Sequence, residues 1–416
     1  MPLSNAPTEI VSQIFSWLGT SDLANLCLVN KSFRDVVGYT LYSDITFKRD
    51  PDQNPRIVAL LDTLFRKPEL FDHITALTYV DVVQTLNPRL TYSWTDKLER
   101  GEMDAFAAIL IAHLTQISHL TITGHNIDQE NLIGRVLKLK ISGQLPKFER
   151  LKFVTYFEGR ARFNDVMRLF QIPTVTHLAG SMESFPRGAF KWLSDSAYFR
   201  NLTFLAIEGS SAANMGEILA LPENLKSLAW SWEYATRTSN SSRAKNLDLD
   251  EIVTALSHVK DTLERLQLRI TINTEKYYDG EEKINVMGSF SGLRDFNRIT
   301  DLELPLVFLA GCGDNPQPLD HCTPGGIKTL SLSCVLLLND AVKWNPSDDW
   351  LSDQGILALV SDMSNNSSTN LPQLQRINIF DVDNWFENWQ LFEMLEETPL
   401  DVEVKVIRRV PQLWDF

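Results

Sequence analysis

Few residues of this chain have types and spacing that could do chemistry. Cys312, His321 and Cys322 fall in one loop and carry the donor atoms that bind zinc. A structural zinc site takes four such ligands, and the sequence offers no fourth nearby, so we predict no metal site there. The acidic pairs Glu281-Glu282 and Asp348-Asp349 lie between apolar segments, which favours solvated loops over an acid–base pair.

Other searches for a catalytic centre are also negative. His119 and His177 each come just before an apolar repeat position, where ordinary turn residues are expected rather than catalytic bases. The chain has no phosphate-binding Gly-x-x-x-x-Gly-Lys loop, no Gly-x-Ser-x-Gly elbow, no Cys-x-x-Cys pair and no His-Glu-x-x-His. We therefore expect a protein that is not an enzyme and that uses no cofactor.

Three short helices are predicted within the first 50 residues. Ile10, Ile14 and Leu18 are spaced as one stripe of a helix that begins near Pro7 and stops at Gly19. Apolar residues mark two further helices, at Leu23, Leu26, Cys27 and Val29 and at Phe33, Val36 and Val37. A unit this small rarely buries enough apolar surface to be stable alone, so we expect it to bind a partner.

This segment resembles an F-box, the helical motif that docks onto a Skp-type adaptor and so onto a cullin ubiquitin ligase. The resemblance is carried by Pro7, Glu9, Ile10, Ile14, Leu18, Asp22, Leu23, Leu26, Val29, Lys31, Arg34, Leu41, Tyr42, Ile45 and Phe47. The apolar residue usual before the proline is a small one here, Ala6. The resemblance implies that the adaptor contacts Pro7, Ile10, Ile14, Leu18, Leu23, Leu26 and Val29.

A short pattern, apolar-x-x-apolar-x-apolar, recurs at irregular spacing through the rest of the chain. Its copies are Ile74-Leu77-Tyr79, Ile117-Leu120-Ile122, Phe148-Leu151-Phe153, Leu202-Leu205-Ile207, Leu225-Leu228-Trp230, Leu263-Leu266-Leu268, Ile299-Leu302-Leu304, Ile327-Leu330-Leu332 and Leu374-Ile377-Ile379. A weaker copy, Val175-Leu178, has Gly180 in its third place. Helical patterns fall between copies, as at 103–114, 163–170, 249–259, 351–360 and 385–395.

One strand-plus-helix unit cannot bury its apolar side alone, so neighbours must stack. The repeats resemble a degenerate leucine-rich repeat solenoid of the kind often found behind an F-box. Residues such as His125, Ser210 and Glu233 replace the Asn or Cys usual five residues after the second anchor. The usual side-chain ladder is therefore not expected, and the turns should differ from copy to copy.

The predicted fold class is α/β: a three-helix F-box followed by an irregular leucine-rich-repeat-like solenoid, with the parallel sheet inside and helices outside. We expect an F-box at 1–50, a linker helix at 51–72 and the solenoid at 73–416. A final strand at 400–406 and an apolar tail at 413–416 would cap it. The rival, a doubly wound α/β domain, needs a glycine-rich first turn and a chain reversal that no stretch suggests.

Composition narrows the partners and the compartment. The net charge of −14 argues against nucleic acid, which needs clustered Lys and Arg. No run approaches the ~18 apolar residues of a membrane span, and no secretory signal is visible. Four cysteines in 416 residues do not form a disulfide framework. We expect a cytoplasmic or nuclear protein.

If the solenoid is correct, its concave side is where a target protein should bind. Side chains alternate between the two faces of a strand, and this alternation predicts that seven residues face the concave side: Lys152, Glu208, Gln267, Arg269, Glu303, Asn378 and Phe380. Trp232 and Tyr234, which open a polar excursion, are further candidates because such aromatics often anchor interfaces.

The resemblance thus implies the substrate-recognition subunit of an SCF-type cullin ubiquitin ligase. The F-box would hold the adaptor, and the repeats would present a target protein for ubiquitylation. One alternative is an F-box scaffold that holds the adaptor without ubiquitylation. Another is an enzyme with a site in the loops 273–288 or 311–326, although no convergent polar set is evident there.

Overall fold

The computed structural model describes residues 6–29, 31–48, 54–80, 103–123, 132–157, 172–181, 197–209, 212–235, 246–273, 285–311, 317–334, 353–380 and 402–407. The chain divides into two compact units, Met1–Ser181 (unit 1) and Met182–Phe416 (unit 2). Each unit is described by itself.

Three helices open unit 1, as predicted: α1 (Thr8–Phe15), α2 (Thr20–Val29) and α3 (Lys31–Leu41). The carbonyl of Pro7 starts α1 by accepting from the backbone N–H groups of Ile10 and Val11, both at 3.1 Å. The helix ends at Phe15, so the predicted stripe overran it and Leu18 lies in the turn that follows.

The three helices share a small apolar core. Val11 and Phe15, one turn apart on α1, are buried in it, and the ring of Phe15 meets that of Phe33 edge-on at 5.6 Å. Leu23 and Val37 complete the core, and Ala6, Ile14, Leu18, Leu26, Cys27, Val36 and Leu41 pack around it, partly buried. The side-chain Nε of Arg34 donates to the carbonyl of Cys27 at 3.0 Å, which fastens the end of α2 to α3.

A parallel sheet forms the rest of unit 1. Its strands are β1 (Asp44–Lys48), β2 (Ala76–Val80), β3 (His119–Thr123), β4 (Phe153–Phe157) and β5 (His177–Ser181), each paired with the next. Between them run α4 (Asn54–Arg66), a 3-10 helix (Pro68–His73), α5 (Met103–His113) and α6 (Leu132–Ile141). This architecture confirms the predicted fold class.

The first strand lies within the segment that resembles an F-box. β1 follows α3 after two residues and pairs with β2 in register, Ile45 opposite Leu77. Ile45 is buried, as the anchors of later strands are. The N-terminal helices therefore continue directly into the sheet of unit 1.

One repeat was placed three residues too early. The register sets Leu120 opposite Val154, so the third copy is Leu151-Val154-Tyr156, with all three side chains buried. The prediction of Phe148-Leu151-Phe153 was wrong because these residues have the same apolar-x-x-apolar-x-apolar spacing as the true anchors. Phe153 instead lies on the opposite face of β4, half-buried.

Gly180 stands where the weaker copy lacks its third anchor. It pairs with Tyr156 on β4, and a Cβ added to it would lie 3.0 Å from the Tyr156 carbonyl oxygen. A side chain there would push the two strands apart, so the missing anchor is a consequence of this close approach.

Backbone hydrogen bonds join each strand start to the next, in a series that we call the turn ladder. In unit 1 the carbonyls of Ser43, Thr75, Ser118 and Lys152 each accept two N–H groups of the following repeat, at 2.8–3.1 Å. Thr75 and Ser118 also donate their hydroxyls to the preceding carbonyl, both at 3.1 Å. The ladder satisfies turn amides without the Asn or Cys that the sequence lacks.

Unit 2 repeats the same construction. One parallel sheet contains β6 (Phe204–Glu208), β7 (Ser227–Ala235), β9 (Arg265–Asn273), β11 (Asp301–Pro305), β12 (Thr329–Ser333), β13 (Arg376–Phe380) and β14 (Glu403–Ile407). A two-stranded sheet pairs β8 (Asn246–Asp248) with β10 (Asn285–Met287). The turn ladder runs through Thr203, Lys226, Glu264, Thr300, Lys328 and Gln375.

Helices alternate with these strands. They are α7 (Ala212–Leu219), α8 (Leu249–Leu256), α9 (Leu306–Ala310) and α10 (Asp353–Asn370), with 3-10 turns at Ala197–Asn201, Ser257–Val259, Ser291–Asp295 and Leu319–His321. The predicted helices at 163–170 and 385–395 and the tail at 413–416 lie outside the described residues. No described helix is both long and apolar enough to cross a bilayer.

A buried lysine fastens α6 to its surroundings in unit 1. Lys140 is 1% exposed, and its Nζ donates to the carbonyls of Leu114 and Pro146, both at 2.7 Å. The same Nζ lies 4.5 Å from the ring centre of Phe148. Burial lowers the pKa of Lys140 to about 8.

This lowered pKa predicts a dependence of stability on pH. Between about pH 8 and about pH 10.5 the unfolded chain still holds the Lys140 proton while the folded chain has lost it, so the free energy of unfolding rises with pH. Relative to Lys140→Met, the wild type should gain up to about 3 kcal/mol over this range. Urea unfolding of both chains measures the gain.

The exposed neighbour Lys138 on the same helix provides the control. Lys138→Met should show no such pH-dependent difference from the wild type. A difference between Lys140→Met and the wild type that stays constant with pH would contradict the proposed titration of Lys140.

Candidate interaction surfaces

Exposed apolar side chains cluster in the N-terminal helices. Ile10, Trp17, Leu28 and Val29 are 49%, 78%, 78% and 64% exposed. In the part of the chain that the structure describes, the other exposed large apolar side chains are Val58, Phe65 and Met287, at 49%, 50% and 43%. Four of these seven exposed apolar side chains lie in one short segment, Ile10–Val29, which indicates a surface suited to a partner.

The residues predicted to touch an adaptor divide into three groups. Pro7, Ile10 and Val29 are exposed. Ile14, Leu18 and Leu26 are half-buried at the border of the helical core. Leu23 is 5% exposed inside that core, so its role is to hold the helices together rather than to offer surface.

Sequence reasoning missed two exposed residues, Trp17 and Leu28. Trp17 lies two residues after the end of α1, in the turn between α1 and α2. It is therefore outside the predicted i, i+4 stripe. Leu28 adjoins Val29 at the end of α2. A tryptophan in a turn between two amphipathic helices was the signal available for Trp17.

Three of the predicted target-binding residues form one ionic cluster in unit 2. Arg269 Nε lies 2.6 Å from Glu303 Oε1, and Gln267 Nε2 lies 2.7 Å from Glu303 Oε2. Arg269 and Glu303 are only 14% and 16% exposed. Because both carboxylate oxygens of Glu303 are engaged, this cluster braces β9 against β11.

The other predicted target-binding residues are scattered. Lys152 is exposed, but it lies just before β4 and not within it as predicted. The prediction placed it in the strand because the third repeat was set three residues too early. Glu208 is half-buried at the end of β6. Asn378 donates to the Ser331 hydroxyl at 2.9 Å. Phe380 is 3% exposed, so it was wrongly predicted to face a target.

Trp232 and Tyr234 lie in a strand and not in a loop. β7 continues to Ala235, and the two residues pair with Ile270 and Ile272 of β9. Their side chains lie outside the described part of the structure. In the same sheet Ala206 and Ala229 are fully buried.

The face of the unit 1 sheet opposite its anchors, which we call the front face, has two ordered rows. The first, the His–Phe–His stack, contains His119, Phe153 and His177 on three adjacent strands; successive ring centres are 4.3 Å apart. The second, the threonine row, is formed by Thr46, Thr78, Thr121 and Thr155, paired in register. His119 and His177 thus begin strands and are not turn residues.

No metal centre emerges in the described residues. No group of three His, Cys, Asp or Glu side chains there could hold an ion. Cys312 lies outside them, and burial raises the pKa of the Cys322 thiol. Much of the two loops considered for an enzyme, at 274–284 and 312–316, also lies outside them.

Comparisons with known proteins add one domain assignment. Residues 3–48 match the F-box-like family. No curated protein matches the chain significantly. A crystal structure of a TLR13–ssRNA13 complex is similar at 9% identity and a TM-score of 0.37, over 90% of this chain and 48% of that one. The chain thus spans about half the length of that protein, and the repeat architecture is established by strand register instead.

The ionic cluster makes a stability prediction. Glu303→Ala leaves the Arg269 cation largely buried without its carboxylate, so the free energy of unfolding should fall by about 2 kcal/mol. Glu264→Ala is the matched control, because it removes a carboxylate from the exposed Lys226–Glu264 pair (2.9 Å) on a neighbouring strand segment. That change should cost less than about 1 kcal/mol. If both variants lose the same free energy of unfolding in urea, Glu303 does not hold β9 and β11 together more strongly than an exposed ion pair would.

Proposed function

We propose that this chain, whose residues 3–48 are an F-box-like domain, is the substrate-recognition subunit of an SCF-type ubiquitin ligase. F-box domains generally bind Skp1-type adaptors, and F-box and leucine-rich-repeat-like families are generally non-enzymatic. In this proposal the N-terminal helices bind the adaptor, the adaptor joins them to a cullin, and the repeats bind a target protein. The chain contributes proximity between the target and the ubiquitin-charged enzyme.

The observation that carries the proposal is the exposed apolar surface of the matched segment. In the part of the chain that the structure describes, Ile10, Trp17, Leu28 and Val29 are 49–78% exposed. Each would gain about 25 cal/mol for every Å² of apolar area that an adaptor buries. With the borderline residues Ile14, Leu18 and Leu26, they form the proposed adaptor contact, to which Pro7 also belongs.

The link between helices and sheet in unit 1 supports a receptor role. β1 belongs to the F-box-like segment and pairs with β2 along five residues. An adaptor held by the helices would stay close to the strands β1–β5, because only two residues separate α3 from β1. We propose an F-box at 1–50, where the family match to residues 3–48 supports it, a linker helix at 51–72 and the solenoid at 73–416, although β1 also forms the first strand of the sheet. We also propose a cytoplasmic or nuclear location, as the place where such ligases act.

Adaptor binding can be tested without unfolding the helices. The double variant Ile10→Asp/Val29→Asp places charges on two exposed positions, and we expect the Kd for a Skp-type adaptor to rise about 10- to 100-fold, corresponding to about 1.4–2.8 kcal/mol. Calorimetry on purified full chain and adaptor measures it. Leu23 is avoided because a polar residue in the core would unfold the segment.

Val58→Asp is the matched control, since Val58 on α4 is 49% exposed, as Ile10 is. It should leave the Kd unchanged. Point variants are better than truncation, because deleting residues 1–48 would strip β1 from the sheet. Unchanged affinity in the double variant would refute the proposed contact.

The alternative of an F-box scaffold makes a different prediction for complexes from cells. A ligase subunit should recover both adaptor and cullin on affinity purification, and the Ile10→Asp/Val29→Asp variant should lose both together. Recovery of adaptor without cullin, under conditions in which a known ligase subunit recovers both, would favour the scaffold.

A further inference from the structure

The His–Phe–His stack on the front face of unit 1 lies outside the helices that are proposed to bind the adaptor and outside the buried anchors of the sheet. The rings of His119 and Phe153 are parallel, with an interplanar angle of 1°, and His177 is tilted by 35°. His119 is exposed and the other two side chains are half-buried. Side chains ordered in this way on an accessible surface are preorganised to bind.

Hydroxyl groups fix both imidazoles. His119 Nδ1 lies 2.8 Å from Ser118 Oγ, and His177 Nδ1 lies 2.9 Å from Thr176 Oγ1. Ser118 Oγ also lies 3.1 Å from the Thr75 carbonyl oxygen, so this hydroxyl is held between the carbonyl and the imidazole.

The strands that carry the stack and the one next to it have no acidic side chain. The sequences of β2 to β5 contain no Asp or Glu, although the chain as a whole has a net charge of −14. The exposed Asp44 on β1 lies in the same cross-strand row, two strands from His119. Lys152, exposed, immediately precedes Phe153. Burial, together with the positive charges of His119 and Lys152, lowers the pKa of His177, as expected where cationic groups crowd together.

The stack presents its ring edges rather than its ring faces, because the faces lie against one another. Aromatic edges carry partial positive charge and attract carboxylate oxygens. The threonine row beside the stack adds hydroxyls that can donate to or accept from a peptide: Thr78, Thr121 and Thr155 are half-buried, and Thr46 is exposed. Ring edges, hydroxyls and the Lys152 ammonium together complement an acidic polypeptide segment.

We propose that the front face of unit 1, centred on the His–Phe–His stack and Lys152, binds an acidic segment of the target protein. This inference rests on the proposed function in that a target is presumed, and it specifies the chemistry of the segment recognised. Glutamate or aspartate side chains of the segment contact the imidazole edges and the Lys152 ammonium, and its backbone lies along the threonine row.

Nuclear magnetic resonance of the histidine ring protons in the full chain tests this directly. The probe is a peptide of about ten glutamates, with a glutamine peptide of equal length and an oligouridylate as comparisons. We expect the glutamate peptide alone to shift the His119 and His177 signals and to raise the pKa of His177, since a nearby anion favours the charged ring. Added salt should weaken the binding.

Variants locate the site. Lys152→Gln and the double variant His119→Ala/His177→Ala should each weaken the peptide at least about tenfold. Lys138→Gln and His258→Ala, which alter an exposed lysine and an exposed histidine elsewhere, should leave its affinity unchanged. If a variant fails to fold, the shifts in the wild-type chain still decide.

The result that overturns the inference is distinct from the failure of the proposed function. If the chain binds a Skp-type adaptor but the glutamate peptide leaves His119 and His177 unchanged, the acidic-segment site is wrong and the ligase role stands. Signals moved by oligouridylate and not by glutamate peptide would overturn it too. A chain that binds the peptide but no adaptor contradicts the proposed function and leaves this site intact.

Discussion

The pairing of β1 with β2 is the constraint on which unit 1 depends. Ser43, between α3 and β1, supplies the first carbonyl of the turn ladder, accepting from the N–H groups of Thr75 and Ala76 at 2.9 and 3.0 Å. Every later strand of the unit is added to this beginning. Because a single repeat cannot bury its own anchors, the sheet of unit 1 requires the segment that also forms the N-terminal helices.

The two units use their sheet surfaces in different ways. In unit 2 the charges of the described strands are largely paired, as in Arg269–Glu303 at 2.6 Å and Arg376–Glu403 at 2.7 Å. Such pairs hold strands together and leave little free charge for a partner. In unit 1 the front face holds neutral hydroxyls and aromatic edges beside the exposed Lys152, with the exposed Asp44 in the same row on β1. It is on this face that we propose an acidic segment binds.

Much of the fold could be predicted from sequence because the period of the pattern is physical. Leu120 and Ile122, or Leu302 and Leu304, alternate as strand residues must, and three apolar stripes predicted three helices. The errors arose where one pattern allowed two readings. Phe148 and Phe153 matched the repeat spacing, and only pairing with β3 shows that Val154 and Tyr156 are the anchors.

The candidate surfaces were less predictable, because exposure depends on distant neighbours. Leu23 and Ile10 are equally apolar, yet Leu23 lies against Phe15 and Phe33 in the helical core while Ile10 is half exposed. In the sequence Glu303 looks like a surface charge. Its hydrogen bonds to Gln267 and Arg269, which are 36 and 34 residues earlier in the chain, form only because β9 and β11 are adjacent. The His–Phe–His stack, built from three strands, has no local signal.

The helices before β1 expose apolar side chains, and we propose that another protein covers them. Hydrogen–deuterium exchange of the full chain, with and without a purified Skp-type adaptor, measures this directly. We expect added protection in the peptides that span α1 and α2, and none at β14. Unchanged exchange in α1 and α2 at saturating adaptor would contradict this proposal.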